Sequence, residues 1–206
     1  MWLLVGLGNP EPRYAGHRHN VGFMALDAIA RRHGFGAWRA VKFEADAAEG
    51  VLGGDGAARV LGVKPMTYMN ESGRAVGALM RWLKLEPDRV IVFHDDLDLA
   101  PGKLRTKRGG GHGGHNGLRS LDAAIGPDYR RVRIGIGHPG HKDLVLRHVL
   151  SDFAPDEHDW LSALLAAIAE AAPALVAADE HAFANKVNRL LAPPAEAKPA
   201  AAPGDA

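Results

Sequence analysis

The sequence predicts an α/β fold, and two patterns along the chain support this class. Continuous apolar runs typical of buried strands occur at residues 2–7 and 90–93, each followed by a turn or a polar cluster. Segments with apolar residues at helical spacing lie between such runs, so strands alternate with helices, as in a sheet covered by helices. The chain has 206 residues, 47% of them hydrophobic, which is enough for one domain with a full core.

Each element is predicted from a local signal. The first strand, 2–7, ends at the turn Gly8-Asn9-Pro10, and a helix starts at about Asn20 and ends near Gly34. Glycines at 53, 54 and 56 indicate a hairpin between two strands. The same signals predict strands at 42–51, 57–63, 90–93, 103–107 and 131–136, and helices from about 70, at 118–125, at 142–150, from 155 with a kink or end at 173, and at 180–191. Residues 192–206 are mostly Ala and Pro, and we predict a disordered tail after a domain at 1–191.

The composition excludes several classes of protein. The chain has no cysteine, so it has neither a disulfide framework nor a thiolate metal site. The first residues lack a basic segment followed by a long apolar one, so we predict neither a signal peptide nor a membrane span. These features are typical of a protein of the cytoplasm, and cytoplasmic is the location that we predict.

The charge is unevenly distributed along the chain. The formal net charge is +1, but residues 103–133 contain eight basic and two acidic residues, a local net charge of +6. We expect this segment to form one face that binds a polyanion, with a merely solvated edge as the alternative. It also contains six glycines among residues 109–117, next to three cationic residues at 105–108. Bare N–H groups in such a stretch bind anions well, whereas a simple hinge has no use for the embedded His and Asn.

Three kinds of chemistry were compared for the polar residues. A serine or threonine nucleophile is weakly supported, because none of the hydroxyl residues lies in a Gly-x-Ser-x-Gly elbow. A metal site at His112 and His115, or at the aspartates 95, 96 and 98, is also weakly supported, since a flexible glycine stretch does not hold ligands rigidly. Water activated by a histidine remains, with a carboxylate to orient the ring.

The polar residues that fit this chemistry follow predicted strands. His19 comes after the first strand, and Asp95 comes directly after the buried strand 90–93. Sites in open α/β sheets gather at the carboxyl ends of strands, so a carboxylate–imidazole pair forms if these two strands are neighbours. Asn9, Asn70 and Asn116 lie at element boundaries, where an amide can polarise a carbonyl or simply cap a helix. His94, His138 and His158 are interpreted as structural.

Several motifs of the chain resemble those of bacterial peptidyl-tRNA hydrolases. The matching segments occur in the family's order and together extend from residue 2 to about 191: Val5 to Pro10, Tyr14, Arg18 to Gly22, Lys64-Pro65, Tyr68 to Gly73, His94 to Asp98, Gly109 to Leu118 and Arg133 to Gly140. The segments Arg-His-Asn and His-Gly-Gly-His-Asn-Gly are the most specific.

This resemblance implies a monomeric single-domain α/β hydrolase with a twisted mixed sheet flanked by helices. It would cleave the ester between a peptide and the 3′-terminal ribose of tRNA, with no metal and no cofactor. The resemblance assigns catalytic roles to His19 as base, Asp95 as its orienting carboxylate and Asn9 beside them. It also assigns contacts with the peptide or the tRNA 3′ end to Tyr14, Met69, Asn70 and Asn116, and with the tRNA 5′-phosphate to Lys107 and Arg133.

The chain departs from the family pattern beside the predicted site. His17 replaces the usual threonine before Arg18, and Glu11-Pro12 replaces a glycine after Pro10. Two other functions stay open at the level of sequence. One is a non-catalytic RNA-binding protein like the splicing-factor relatives of this family, and the other is a nucleotide-binding enzyme that uses the glycine stretch. Retention of His19, Asp95 and Asn9 favours the hydrolase.

Overall fold

The computed structural model describes residues 1–54, 57–177 and 180–192, and their centre is a seven-stranded mixed sheet. The strands are β1 Trp2–Gly6, β2 Arg39–Val41, β3 Ala45–Leu52, β4 Ala58–Pro65, β5 Val90–Asp96, β6 Leu104–Arg108 and β7 Arg130–Gly135, in the spatial order β2-β3-β4-β1-β5-β7-β6. The four strands β4, β1, β5 and β7 are parallel, and β2, β3 and β6 add antiparallel edges.

Helices cover both faces of the sheet. They are α1 Val21–Arg32, α2 Ser72–Leu83, α3 Asn116–Ile125, α4 Val145–Val149, α5 His158–Ala171, α6 Pro173–Val176 and α7 Glu180–Leu191. One core joins α1 and α5 to residues such as Leu4, Ile91 and Phe93, and a second joins α2 and α3 to Leu3 and Val92. Successive strand residues point to opposite faces, so the apolar runs that predicted buried strands supply both cores. The predicted α/β class with a mixed sheet is therefore confirmed.

Several predicted boundaries are wrong, each for a local reason. The strand predicted at 42–51 starts only at Ala45, because Phe43 and Glu44 have left-handed φ values of 74° and 54° in the turn that follows the unpredicted strand β2. The helix predicted at 142–150 begins as a 3-10 turn, Lys142–Leu144, before α4. By contrast, the interruption predicted at Pro173 is confirmed, since α5 ends at Ala171 and α6 begins at Pro173. Of the predicted tail 192–206, the residues from 193 onward lie outside the described ranges.

The topology brings the predicted site residues to one edge of the sheet. β1 pairs in parallel with β5, so the two strands end side by side and the segments that follow them begin next to each other. Gly22 lets the start of α1 lie directly on these strands, since a Cβ there would be 2.3 Å from the Phe93 carbonyl oxygen and 2.5 Å from the Leu7 nitrogen. The 3-10 turn Arg18–Asn20, just before α1, is thereby held over the end of β5. Within the described ranges, the helices are too short and too polar to cross a membrane.

Candidate active site

His19 and Asp95 form the buried pair that their neighbouring strands predicted. His19 Nδ1 lies 2.8 Å from Asp95 Oδ1, and the two side chains are 11% and 2% exposed. A carboxylate can only accept hydrogen bonds, so His19 Nδ1 carries the proton and donates it to Asp95. The other ring nitrogen, Nε2, is then an acceptor, which is the form that a general base needs.

A second histidine, His115, also contacts Asp95. Its Nε2 lies 3.0 Å from Asp95 Oδ1, while its Nδ1 accepts the backbone N–H groups of Gly117 and Leu118 at the start of α3. Because Nδ1 accepts, the proton of His115 is on Nε2 and is donated to Asp95. One carboxylate oxygen therefore receives two imidazole N–H groups, which hold it in a defined direction.

Burial and hydrogen bonding have opposite effects on the charges of this cluster. Burial alone would lower the pKa of His19, but the attraction and hydrogen bond of Asp95 raise it above 6.5. Burial disfavours the Asp95 carboxylate, yet His19 and His115 hold the pKa of Asp95 well below its usual value. Asp95 is therefore ionised at neutral pH, and its negative charge favours the protonated form of His19.

His94 keeps the structural interpretation that the sequence suggested. It is buried, and its Nδ1 donates to the Asp95 backbone carbonyl at 2.7 Å. Burial and the nearby His115 lower the pKa of His94 to about 3, so its ring is neutral at physiological pH. The His94 ring meets the His115 ring edge-on with 5.2 Å between centroids, which supports the orientation of His115.

Asn9 is held in place by two neighbours, Asn20 and Met69. Its backbone N–H donates to Asn20 Oδ1 at 2.9 Å, and its carbonyl accepts from Asn20 Nδ2 at 3.0 Å. Its side-chain Oδ1 accepts the Met69 backbone N–H at 2.9 Å. The Asn9 side-chain oxygen is thus engaged as an acceptor, whereas its Nδ2 amino group is a donor of the kind that suits a carbonyl or an oxyanion.

The other residues predicted to contact the substrate lie in two 3-10 turns and at the start of α3. Met69 is buried, and its sulfur lies 2.6 Å from where a Cβ of Gly117 would be, so α3 and the turn Met69–Glu71 meet tightly. Asn70 is exposed in that same turn, and Asn116 is exposed as the first residue of α3. Tyr14 is half-buried in the 3-10 turn Pro12–Tyr14 and packs edge-on against the ring of His17 at 5.2 Å.

Lys107 and Arg133 lie together on the antiparallel strands β6 and β7. Lys107 is exposed, and it pairs in register with Arg131, which is two residues before Arg133 on β7. Lys107 and Arg133 are therefore diagonal neighbours on one face of the sheet, roughly 7–8 Å apart. Arg133 Nε donates to Asp96 Oδ2 at 2.7 Å. Asp96 follows Asp95 on β5, which connects the basic pair to the buried cluster through one strand.

We predicted that the basic segment 103–133 forms one face that binds a polyanion. This prediction is wrong for three of its arginines. Arg131 is 2% exposed and is bonded to Asp122. Arg130 lies on the opposite face of the sheet, where its guanidinium is 4.7 Å from the Trp2 ring centroid. Arg108 forms a two-point ion pair with Asp128. The alternation of a strand explains this result, because successive residues of β7 point to opposite faces.

The geometry favours hydrogen bonding over metal ligation in the cluster. The nearest ligand atoms of His19, Asp95 and His115 all lie within 4.8 Å of one another, as a metal ion would require. A metal on His115 Nε2 would need the proton on Nδ1, which would then face two N–H donors instead of accepting from them. His112, the other histidine considered as a ligand, uses its Nδ1 to accept the Gly114 N–H at 3.0 Å.

The serines considered as nucleophiles have structural hydrogen bonds. Ser72 donates to the Met69 carbonyl, Ser120 accepts the Gly73 N–H, and Ser151 donates to the His148 carbonyl. Fold and site together define an α/β protein with a buried histidine–carboxylate pair at the carboxyl edge of a mixed sheet, the arrangement of an enzyme that uses histidine as a base.

Comparisons with known proteins narrow this class to one family. The family model described as peptidyl-tRNA hydrolase matches residues 3–197. The chain belongs to this family. Peptidyl-tRNA hydrolase of Dinoroseobacter shibae is 59% identical over 194 residues, which cover 94% of this chain and 81% of that protein. The protein of the same name from Parvibaculum lavamentivorans is 58% identical over 200 residues, covering 97% and 96%.

A solved structure agrees with the sequence relatives. The crystal structure of peptidyl-tRNA hydrolase from Acinetobacter baumannii has a TM-score of 0.84 to this chain at 38% identity, with coverage of 91% of this chain and 94% of that one. The resemblance inferred from the motifs is therefore confirmed, together with the fold that it implied.

Proposed function

We propose that the chain hydrolyses the ester that joins a peptide to the 3′-terminal ribose of tRNA. The observation that carries this proposal is the His19–Asp95 pair, in which the donated Nδ1 proton leaves Nε2 as the acceptor. The family to which the chain belongs supports the substrate class. An ester has a good leaving group, so a base and donors that polarise the carbonyl are sufficient without a covalent enzyme intermediate.

The first chemical step is attack by water. His19 Nε2 takes a proton as the water oxygen bonds to the ester carbonyl carbon, and negative charge develops on the carbonyl oxygen. The ionised Asp95 stabilises the imidazolium that forms. The Nδ2 amino group of Asn9 donates to the oxyanion, and losing one such donor typically costs about 3 kcal/mol of transition-state stabilisation.

The second step is collapse of the tetrahedral intermediate. The bond from the carbonyl carbon to the ribose oxygen breaks, and the imidazolium of His19 returns its proton to that oxygen. The products are a tRNA with a free terminal hydroxyl and a peptide carboxylic acid, which releases its proton to solvent and becomes a carboxylate. The exposed side chains of Asn70 and Asn116 are assigned to the peptide and the tRNA 3′ end, and Tyr14 and Met69 are assigned to the same substrate groove, as the family resemblance implies.

The basic pair on β6 and β7 is assigned to the other end of the acceptor stem. Lys107 is exposed and Arg133 is 24% exposed, so both can reach a phosphate. Asp96 bonds to Arg133 at Nε, which directs the remaining guanidinium edge away from β5. We assign the tRNA 5′-phosphate to this pair. We also propose that the chain acts as a monomer in the cytoplasm, where translation produces its substrate.

A cleavage assay with matched tRNA substrates tests this function. N-acetylaminoacyl-tRNA should be hydrolysed, while aminoacyl-tRNA with a free α-ammonium group should be cleaved much more slowly, because it lacks the amide that an asparagine carbonyl can read. The matched substrate pair is the control for tRNA integrity. Binding of tRNA without cleavage of either substrate would favour the alternative, a non-catalytic RNA-binding relative.

A further inference from the structure

The loop between β6 and α3 has an unusual backbone. Gly109, Gly110, Gly113 and Gly114 have φ values of 66°, 89°, 56° and 81°, all in the left-handed region. A stretch of this kind loses much conformational entropy when it is ordered. Within the loop, the Gly114 N–H donates to His112 Nδ1 and the His115 N–H donates to the His112 carbonyl. These two bonds lie in its second half, so its first half depends on contacts from outside.

Arg131 makes those contacts from the neighbouring strand β7. Its Nη1 donates to the Gly111 carbonyl and its Nη2 to the Gly110 carbonyl, both at 2.8 Å. Carbonyls of successive residues point to opposite sides in an extended chain. The left-handed conformation of Gly110 turns both of them toward one guanidinium, whose planar fork suits two acceptors. The tyrosine before β7 adds a further bond, since the Tyr129 carbonyl accepts the Gly109 N–H at 3.1 Å.

The charge of this buried arginine is balanced. Asp122 on α3 accepts from Arg131 Nη2 at 3.0 Å and from the Tyr129 hydroxyl at 2.7 Å. The Arg131 guanidinium lies 4.7 Å from the Tyr129 ring centroid. Burial and the hydrogen bond to Asp122 raise the pKa of Tyr129, so its phenol remains a donor across the working pH range. These partners fix the orientation of the Arg131 side chain, so that its guanidinium is directed toward the glycine loop.

Both ends of the loop carry groups of the proposed site. At the far end, His115 donates to Asp95 and caps α3, and Asn116 follows it. At the near end, the Lys107 ammonium lies 2.5 Å from where a Cβ of Gly110 would be, so it rests on the glycine backbone. We propose that Arg131 is a positioning residue for the hydrolytic step. It holds the glycine loop in the conformation in which His115 reaches Asp95.

The stability of the fold does not require an arginine at this buried position. Arg131 belongs to the face of the sheet where Leu118, Leu121 and Tyr129 form an apolar core. Replacing a buried ion pair by apolar residues of similar volume is often neutral or stabilising. The double variant Arg131→Met/Asp122→Leu should therefore still fold, with a lower melting temperature because the buried Tyr129 hydroxyl loses its acceptor, while the loop loses its two guanidinium bonds.

The experiment measures loop protection and kinetics in this double variant. Hydrogen exchange at the Gly117 and Leu118 amides, which bond to His115 Nδ1, should become faster. On N-acetylaminoacyl-tRNA, kcat should fall about 10- to 100-fold, since a small misplacement of catalytic groups has effects of this size. The salt dependence of KM should stay unchanged, because Lys107 and Arg133 remain on their strands. The matched control is Arg130→Met, which removes a neighbouring arginine on the opposite face and should leave kcat and loop exchange unchanged.

One further variant, with two outcomes that would overturn the proposal, keeps the proposal testable. Arg131→Lys retains the charge but not the planar fork, so it should reproduce the faster exchange and the lower kcat even if the double variant does not fold. Wild-type exchange and kcat in Arg131→Lys would overturn the proposal. An effect confined to the salt slope of KM would also overturn it, by making Arg131 part of anion binding. The kinetic part rests on the proposed hydrolysis. If the wild type lacks activity, loop exchange still decides whether Arg131 holds the loop.

Discussion

Two neighbouring regions of the molecule use the same strand in opposite ways. In the buried cluster, His19 is hydrogen-bonded to Asp95, whose carboxylate is 2% exposed. In the basic pair Lys107 and Arg133, Arg133 forms an ion pair with Asp96. The arginine is 24% exposed, and Lys107 is exposed to solvent. Asp95 and Asp96 are consecutive in β5, so their side chains leave the strand on opposite faces. One carboxylate thus holds a histidine ring, and the next holds a guanidinium.

The difference in burial predicts a difference in function. Charges in a buried site are weakly screened, and their hydrogen bonds have fixed directions, which suits groups that act in a transition state. Exposed cations exchange counterions with solvent, which suits binding of a polyanion and makes it dependent on salt. Changes in the buried cluster should therefore act mainly on kcat, and changes in the basic pair mainly on KM.

The largest effect is expected for His19→Ala. Removing the base should lower kcat by about 10²- to 10⁴-fold, while affinity for tRNA stays within a few fold, because the base contributes little to ground-state binding. The measurement is single-turnover cleavage of N-acetylaminoacyl-tRNA together with tRNA binding. His33→Ala is the matched control, since it removes a histidine at the other end of α1 whose Nε2 bonds to the Ala169 carbonyl. Near-normal cleavage by His19→Ala would show that His19 is not the base.

Asp95→Asn should lower kcat by about 10²-fold, because an amide can present the wrong group to Nδ1 and misplace the ring. It should also shift the pH profile. A base must be neutral, so activity rises with pH through the pKa of His19, which Asp95 raises above 6.5. Without this carboxylate, burial lowers the pKa of His19, and the acidic limb moves to lower pH. Asp98→Asn, at an exposed position, is the control; an unchanged profile in Asp95→Asn would refute the orienting role.

The sequence predicted one contact of the buried cluster and missed another. The His19–Asp95 pair was predictable, because continuous apolar runs identify buried strands and parallel neighbours end at one edge. The contact of His115 with Asp95 was missed, since the sequence suggested only a metal role for His112 and His115. That contact depends on the glycine loop, whose conformation is held by Arg131, 16 residues further along the chain from His115. Local patterns do not contain such long-range bonds.

Replacing both Lys107 and Arg133 by Ala tests the exposed region. The double variant should bind tRNA more weakly, and the log–log dependence of KM on salt should flatten by about one to two units, because each phosphate contact contributes roughly 0.7 to 0.9. The variant should also lose any preference for 5′-phosphorylated over dephosphorylated tRNA, while kcat at saturation changes little. Arg39→Ala/Arg59→Ala, on the strands β2 and β4 of the other half of the sheet, removes the same charge and is the control. A retained salt slope and 5′-phosphate preference would mean that other residues bind the phosphate.

The smallest effect is expected from metal removal, which tests the buried region without a mutation. His115 accepts two backbone N–H groups through Nδ1, so its Nε2 carries a proton and is directed to Asp95. A cation at this cluster would have to displace that proton and break the cap of α3. Activity should therefore be unchanged after dialysis of the enzyme against EDTA. Since tRNA itself folds with Mg²⁺, only the enzyme is stripped, and the assay uses tRNA folded with a polyamine. Untreated enzyme in the same buffer is the control. Loss of activity that Zn²⁺ or Mn²⁺ restores would replace the water–histidine mechanism with a metal-assisted one.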